Sequence, residues 1–145
     1  MTEDNERHCL YIGLGSNLGN RKGLIREALR LVGLTVGRVE TVSSFYETEP
    51  QGFRSDHLFL NAAARVSTAL SPRSCLQQTQ RIERMLGRRR KSTAGEYHDR
   101  PIDIDLLYYD NIVMNEPDLT LPHPRIAERD FVRLPLQEIG KNHPA

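Results

Sequence analysis

Apolar residues recur along this chain at two periods, and the switches between them divide it into elements. Residues 1–7 are polar and are expected to be disordered. Cys9–Leu14 is a short apolar run that reads as a first strand. After Gly13-Leu-Gly-Ser-Asn-Leu-Gly19 the spacing becomes helical, from about Asn20 to Val32. Ile25, Ala28, Leu29 and Val32 form the apolar stripe and Gly33 is the expected stop. From Val36 to Tyr46 the period returns to two, with Val39, Thr41, Ser43 and Phe45 alternating against Glu40, Val42, Ser44 and Tyr46. Thr48–His57 reads as a loop, and Leu58–Leu70 as a long third strand despite its alanines.

Ser71-Pro72 then opens a second helix, a serine cap followed by proline in the first turn. It runs to about Leu86, buried along Cys75, Thr79, Ile82 and Leu86, and ends at Gly87. Residues 87–99 form a basic loop. Ile102–Tyr109 is a fourth strand with Pro101 at its start. Ile102, Ile104 and Leu106 face one side of it, Asp103 and Asp105 the other. A turn at Asp110-Asn111 leads to a short strand at Ile112–Met114. Two prolines hold Leu121-Pro-His-Pro-Arg125 extended, and a last helix covers Phe131–Ile139.

The order β-α-β-β-α-β with an appendage is that of a ferredoxin-like α+β sandwich. It predicts an antiparallel sheet with helices on one face, the other face being left for a ligand. A chain of 145 residues suits one such domain, residues 1–145.

Charge narrows the function. Twenty basic residues against nineteen acidic give a net charge of +1, too even for a general nucleic-acid binder. No apolar run approaches the roughly 18 residues of a membrane span. The polar, acidic start is unlike a secretory signal. Cys9 and Cys75 each fall on an expected core face, which suggests reduced thiols and a cytoplasmic protein.

The candidate chemistry centres on Asp103 and Asp105. Their backbones lie about 7 Å apart on one side of a strand, and two like charges there call for a cation, with magnesium suited to such oxygen ligands. Arg88, Arg90, Lys91 and Arg100 flank them and suit phosphate oxygens. Gln80 and Glu83, three apart, share a helix face. His123 sits between two prolines, a rigid mount for a hydrogen-bond donor. Asn61, mid-strand among apolar residues, needs partners that a heterocycle would provide; Phe59, Tyr97 and Phe131 are candidates to stack on it or to join the core. Gly13, Gly15 and Gly19 are spaced wrongly for a dinucleotide fingerprint. There is no covalent nucleophile and no zinc-spaced set, so catalysis by positioning and electrostatics fits. The alternatives are a ferredoxin-like module that holds RNA through Arg88–Lys91, indifferent to Asp103→Ala, and a degenerate enzyme that binds without turnover.

Several segments together resemble the 6-hydroxymethyl-7,8-dihydropterin pyrophosphokinase family from about Leu10 to Ile139. They are Gly15-Ser-Asn-Leu18, Ser43 to Gly52, Phe59-Leu-Asn-Ala-Ala63, Gln80-Arg-Ile-Glu83, Arg88 to Lys91, Arg100-Pro-Ile-Asp-Ile-Asp105, Leu121 to Arg125 and Arg129-Asp-Phe131. The resemblance implies transfer of the β,γ-pyrophosphoryl unit of ATP to the pterin hydroxymethyl oxygen, releasing AMP, within folate biosynthesis. It implies two magnesium ions on Asp103 and Asp105, and Arg88 and Arg100 as catalytic loop arginines. It implies ATP contacts from Gln80, Glu83, Arg90, Lys91, Arg100, Leu106, Thr120, His123 and Arg129. The pterin pocket would be Thr48, Pro50, Gln51, Phe59, Asn61 and Phe131. Partners would be these small molecules, with no nucleic acid or membrane, on a monomer or weak dimer.

The chain departs from the family pattern in places. The stretch from Lys91 to Arg100 is long, and Tyr97-His98-Asp99 stands where a tryptophan is familiar. Phe59 replaces a tyrosine, Arg133 an apolar residue, and a short C-terminal extension is expected. Residues 88–99, charged and short of apolar anchors, are expected to move on binding.

Overall fold

The computed structural model describes residues 7–48, 58–87 and 101–141. Of the residues singled out above, Pro50, Gln51, Arg88, Arg90, Lys91, Tyr97 and Arg100 lie outside the described residues, as do the expectations for residues 1–6 and the 88–99 loop. Arg7, grouped with the disordered start, is placed, and its guanidinium donates to the Ser67 carbonyl at 3.2 Å.

The elements are β1 (His8–Ser16), α1 (Arg21–Thr35), β2 (Gly37–Val42), β3 (Tyr46–Thr48), β4 (Phe59–Thr68), α2 (Pro72–Met85), β5 (Asp103–Tyr109), β6 (Met114–Glu116), β7 (Leu119–Leu121) and α3 (Asp130–Glu138), with a 3-10 turn at Ile126–Glu128. The main sheet runs β2-β4-β1-β5, and β3 also pairs with β4; β6 and β7 form a separate hairpin. Every described pair is antiparallel. This is the ferredoxin-like arrangement that the element order predicts.

Period-two alternation places the core. Leu10, Ile12 and Leu14 of β1, Ala62, Ala64 and Val66 of β4, and Ile104 and Leu106 of β5 face Ile25, Ala28 and Val32 of α1 and Cys75 and Ile82 of α2. Each fully buried Ile or Val in this layer contributes on the order of 2 kcal/mol. The second face is not wholly free. Ala63, Leu107 and Tyr108 pack there against Ile126, Leu136 and Ile139 of the appendage. Residues 60–64 of β4 are therefore buried on both faces, and alanine lets layers approach from either side. That explains a strand built from weak strand formers.

Other expectations need correction. The strand from Val36 to Tyr46 is broken. Ser43 is buried at the break; its hydroxyl accepts the Ala63 N–H at 2.9 Å and donates to the Ser44 carbonyl at 2.7 Å. A side chain thus replaces a ladder bond, and a register shift between Val39 and Thr41 interrupts the expected alternation: Val39 pairs with Val66 of the core, but Thr41 pairs with Arg65. Gly33 does not stop α1, which continues to Thr35 because propensity is a weak prior inside a packed helix. Leu31 joins its buried stripe, and Leu29 packs half-buried against the same core. Ile112 and Val113 are exposed, and the strand expected there begins at Met114. Ser71 caps α2 by accepting the Ser74 N–H at 3.1 Å, and Gly87 follows its end at φ 107°, a conformation suited to glycine.

Candidate active site

Among the described residues β5 is an edge strand, paired with β1 alone. An edge with unpaired N–H groups must be covered or satisfied. Here α2 does both. The carboxyl of Glu83, 5% exposed, accepts the Ile104 N–H at 2.7 Å. One helical side chain therefore fixes the backbone between Asp103 and Asp105.

A cavity of about 340 Å³ opens along this edge. Gln80 and Glu83 line it from α2, Asp103, Asp105 and Leu106 from β5, and Thr120 and His123 from β7 and the segment after it. The floor and rim are completed by Leu76, Pro117, Asp118 and Leu119. Arg73, in the first turn of α2, ties down the hairpin by pairing with Glu116 and, at 2.6 Å, with Asp118.

His123 is held on both sides. Its N–H donates to the Leu107 carbonyl at 2.9 Å. Its ring Nδ1 accepts the Arg125 N–H at 3.2 Å, so the neutral ring carries its proton on Nε2. Burial lowers its pKa below the ordinary histidine value, Arg129 and Arg125 add to that, and Asp103 opposes it. The ring is an uncharged donor at neutral pH.

Both aspartates are half-buried and share one side of the sheet. Asp103 pairs with Gly15 and Asp105 with Gly13 across β1. Among the described residues no three His, Cys, Asp or Glu side chains gather closely enough to cage a metal. A two-carboxylate, all-oxygen set fits magnesium, which completes its shell with water and substrate phosphate.

A second set lies beyond β1. On β4, Asn61 is buried and its amide donates to the Thr48 hydroxyl at 2.7 Å. Thr48 pairs with Phe59, and Tyr46 with Asn61. Phe131 stands in the first turn of α3, and the Arg129 guanidinium lies 5.6 Å from its ring centre. Of the described residues expected to contact a nucleotide, Gln80, Glu83, Leu106, Thr120 and His123 line the cavity with Asp103 and Asp105, whereas Arg129 lies beside Phe131.

Residues 11–141 match the model of the 7,8-dihydro-6-hydroxymethylpterin-pyrophosphokinase family. The chain belongs to this family. It is 51% identical over 132 residues to the 2-amino-4-hydroxy-6-hydroxymethyldihydropteridine pyrophosphokinase of Porphyromonas gingivalis, covering 90% of each. It is 42% identical over 130 residues to the Bacillus subtilis protein of the same name, covering 89% of this chain and 76% of that one. Among solved structures, the HPPK-DHPS of Plasmodium falciparum with pteroate superposes with a TM-score of 0.72 at 18% identity, over 95% of this chain and 40% of that one. That likeness speaks for the fold.

For a pterin pyrophosphokinase, the sequence reading missed one wall of the cavity. Pro117, Asp118 and Leu119 belong to the β6–β7 hairpin. Its signal is a proline and an aspartate between two short alternating runs, a turn signature. Arg133, where the resemblance leads one to expect an apolar residue, sits on α3 with its guanidinium paired to Asp130 one turn earlier and its Nε buried.

Proposed function

We propose that this chain, as a single domain over residues 1–145, transfers the β,γ-pyrophosphoryl unit of ATP to the hydroxymethyl oxygen of 6-hydroxymethyl-7,8-dihydropterin and releases AMP. The observation that carries this is the place of Asp103 and Asp105, between the cavity at the β5 edge and the Asn61 row of β4. The pterin oxygen attacks the β-phosphorus, the bond from that phosphorus to the oxygen bridging it to the α-phosphorus breaks, and AMP leaves with the electron pair. Asp105 polarises the attacking hydroxyl, whose proton passes to water as the new O–P bond forms. Asp103 and Asp105 would hold magnesium, two ions once the triphosphate supplies further oxygens. Bound there, the metal neutralises triphosphate charge and makes the phosphorus easier to attack.

Gln80, Glu83, Leu106, Thr120, His123 and Arg129 serve the nucleotide. The neutral Nε2–H of His123 donates without adding charge. Thr48, Phe59, Asn61 and Phe131 take the ring, with Pro50 and Gln51. Arg88, Arg90, Lys91 and Arg100 meet the phosphates. No helix among the described residues is long and apolar enough to cross a membrane, and we read the protein as a cytoplasmic enzyme acting on small molecules as a monomer or weak dimer. The test incubates the protein with ATP, magnesium and the pterin and separates the nucleotides. AMP is expected, and Asp103→Ala or Asp105→Ala should lower its rate about 10³-fold or more with melting unchanged. ADP as the product, or no nucleotide product, would overturn the reading.

A further inference from the structure

Glu138, the last residue of α3, reaches back to a segment 92 to 94 residues earlier in the chain. Its carboxyl accepts the Ser44 N–H at 2.9 Å, the Ser44 hydroxyl at 2.7 Å and the Tyr46 hydroxyl at 2.6 Å. The first of these donors is main chain. It lies in the break between β2 and β3, where the carboxylate takes the place of a ladder acceptor. All three bonds end on one charged group, because the Tyr46 and Ser44 bonds hold the carboxyl below the usual glutamate range. Bonds to a charged acceptor are the stronger kind.

The two ends of this clamp differ in how firmly they are held. Leu136 and Ile139, on either side of Glu138, are buried in the second-face core, so the carboxylate projects from a packed helix. Among the described residues β3 is three residues long and pairs only with β4, and so short a ladder is a weak anchor. Two residues past Tyr46, the Thr48 hydroxyl accepts the Asn61 amide at 2.7 Å. Phe131 stands seven residues before Glu138, two helical turns away, on the same face of α3. The carboxylate therefore joins the strand that carries Thr48 to the helix that carries Phe131. None of Ser44, Tyr46 and Glu138 lines the cavity at the β5 edge. Stability alone accounts poorly for such a clamp. Glu138 and Ser44 are exposed, and polar contacts at the surface contribute little beside the buried Leu136 and Ile139.

We infer that Glu138 is a positioning residue for the pterin: it sets β3 against α3, and through them Thr48 against Phe131, while touching neither substrate. The inference rests on the pterin pyrophosphokinase reading and adds to it a residue outside the sites assigned there. Without the clamp both walls remain, but β3 is free to shift relative to α3. The effect falls on the pterin and spares the nucleotide.

The test compares Glu138→Ala with Glu138→Gln. Glutamine keeps an oxygen for the two Ser44 donors, and its amide can donate to the Tyr46 hydroxyl; alanine keeps neither. Hydroxymethyl-dihydropterin, titrated with magnesium and a non-hydrolysable ATP analogue at saturation, should bind Glu138→Ala about fivefold more weakly or worse. Glu138→Gln should bind it within about threefold of wild type. The analogue itself should bind all three proteins within twofold of one another. A smaller loss of pterin binding in Glu138→Ala would overturn the inference. So would equal losses for both ligands, or a glutamine variant no better than alanine, which are the results a merely structural role gives. Should Glu138→Ala not fold, the double variant Ser44→Ala/Tyr46→Phe removes both hydroxyl donors and leaves α3 untouched. It should weaken the pterin about threefold or more with the analogue again within twofold, and the lack of such a split overturns the inference. Failure of the underlying reading looks different, because wild-type protein would then release no AMP.

Discussion

Replacing Glu83 with alanine isolates what holds the two aspartates. Glu83 is 5% exposed, and its carboxyl accepts the Ile104 N–H at 2.7 Å on the open edge of the sheet. Removing it strands a backbone donor beside α2. An unsatisfied buried donor costs about 1–3 kcal/mol, and the lost side-chain volume adds to this. Water entering from the adjoining cavity offsets part, so a net loss of about 2–3 kcal/mol is expected. At roughly 3–4 °C per kcal/mol for a chain of this size, the melting temperature should fall by about 6–12 °C. Glu83→Gln keeps an oxygen acceptor and should lose under about 1 kcal/mol. The discriminating assay is amide hydrogen exchange. The Ile104 amide should exchange much faster in Glu83→Ala and near the wild-type rate in Glu83→Gln. Because Ile104 lies between Asp103 and Asp105, and Glu83 also lines the cavity, magnesium-dependent nucleotide binding should weaken in the alanine variant. A Glu83→Ala protein that melts within about 2 °C of wild type, with Ile104 still protected, would refute the argument.

Other expectations follow from the electrostatics. Burial pushes the Cys75 thiol up to about 11, slightly offset by Thr68, so at pH 8 only about one thiol in a thousand is ionised; iodoacetamide should label Cys75 only after denaturation, and rapid labelling of the folded protein would count against this. Hydrogen bonds from Tyr46 at 2.6 Å and from the Ser44 hydroxyl and N–H at 2.7 and 2.9 Å hold the Glu138 carboxyl below the usual glutamate range. A depressed carboxyl stabilises the fold above its unfolded value and loses that contribution as pH falls through the folded one. The stability gap between wild type and Glu138→Gln should therefore narrow in acid, and a gap independent of pH would contradict the assignment. His123 has its pKa lowered, chiefly by burial, so the unfolded chain takes up the proton first and stability drops as pH falls below about 6.5. Its ring should titrate below that value by NMR with the proton on Nε2; a midpoint at or above 6.5 would show the environment to be misread.

Local chemistry made much of this protein legible. The period-two runs at β1, β4 and β5, the helical stripe of α2 and the cap at Ser71 depend on neighbours a few residues away. Periodicity and capping read such neighbours directly. The shared side of Asp103 and Asp105 follows from the same alternation. Tertiary structure decided whatever depends on a distant partner. The chain breaks at Ser43 because its hydroxyl meets the N–H of Ala63 on another strand. α3 covers part of the second face because Ala63, Leu107 and Tyr108 form an apolar patch that exists only once β4 and β5 flank β1. Register did the rest. A strand's own sequence sets which side its residues face, but only pairing with its neighbours puts Gly15 between Asn61 and Asp103. Cross-strand position is a property of the assembled sheet, and no window of sequence contains it.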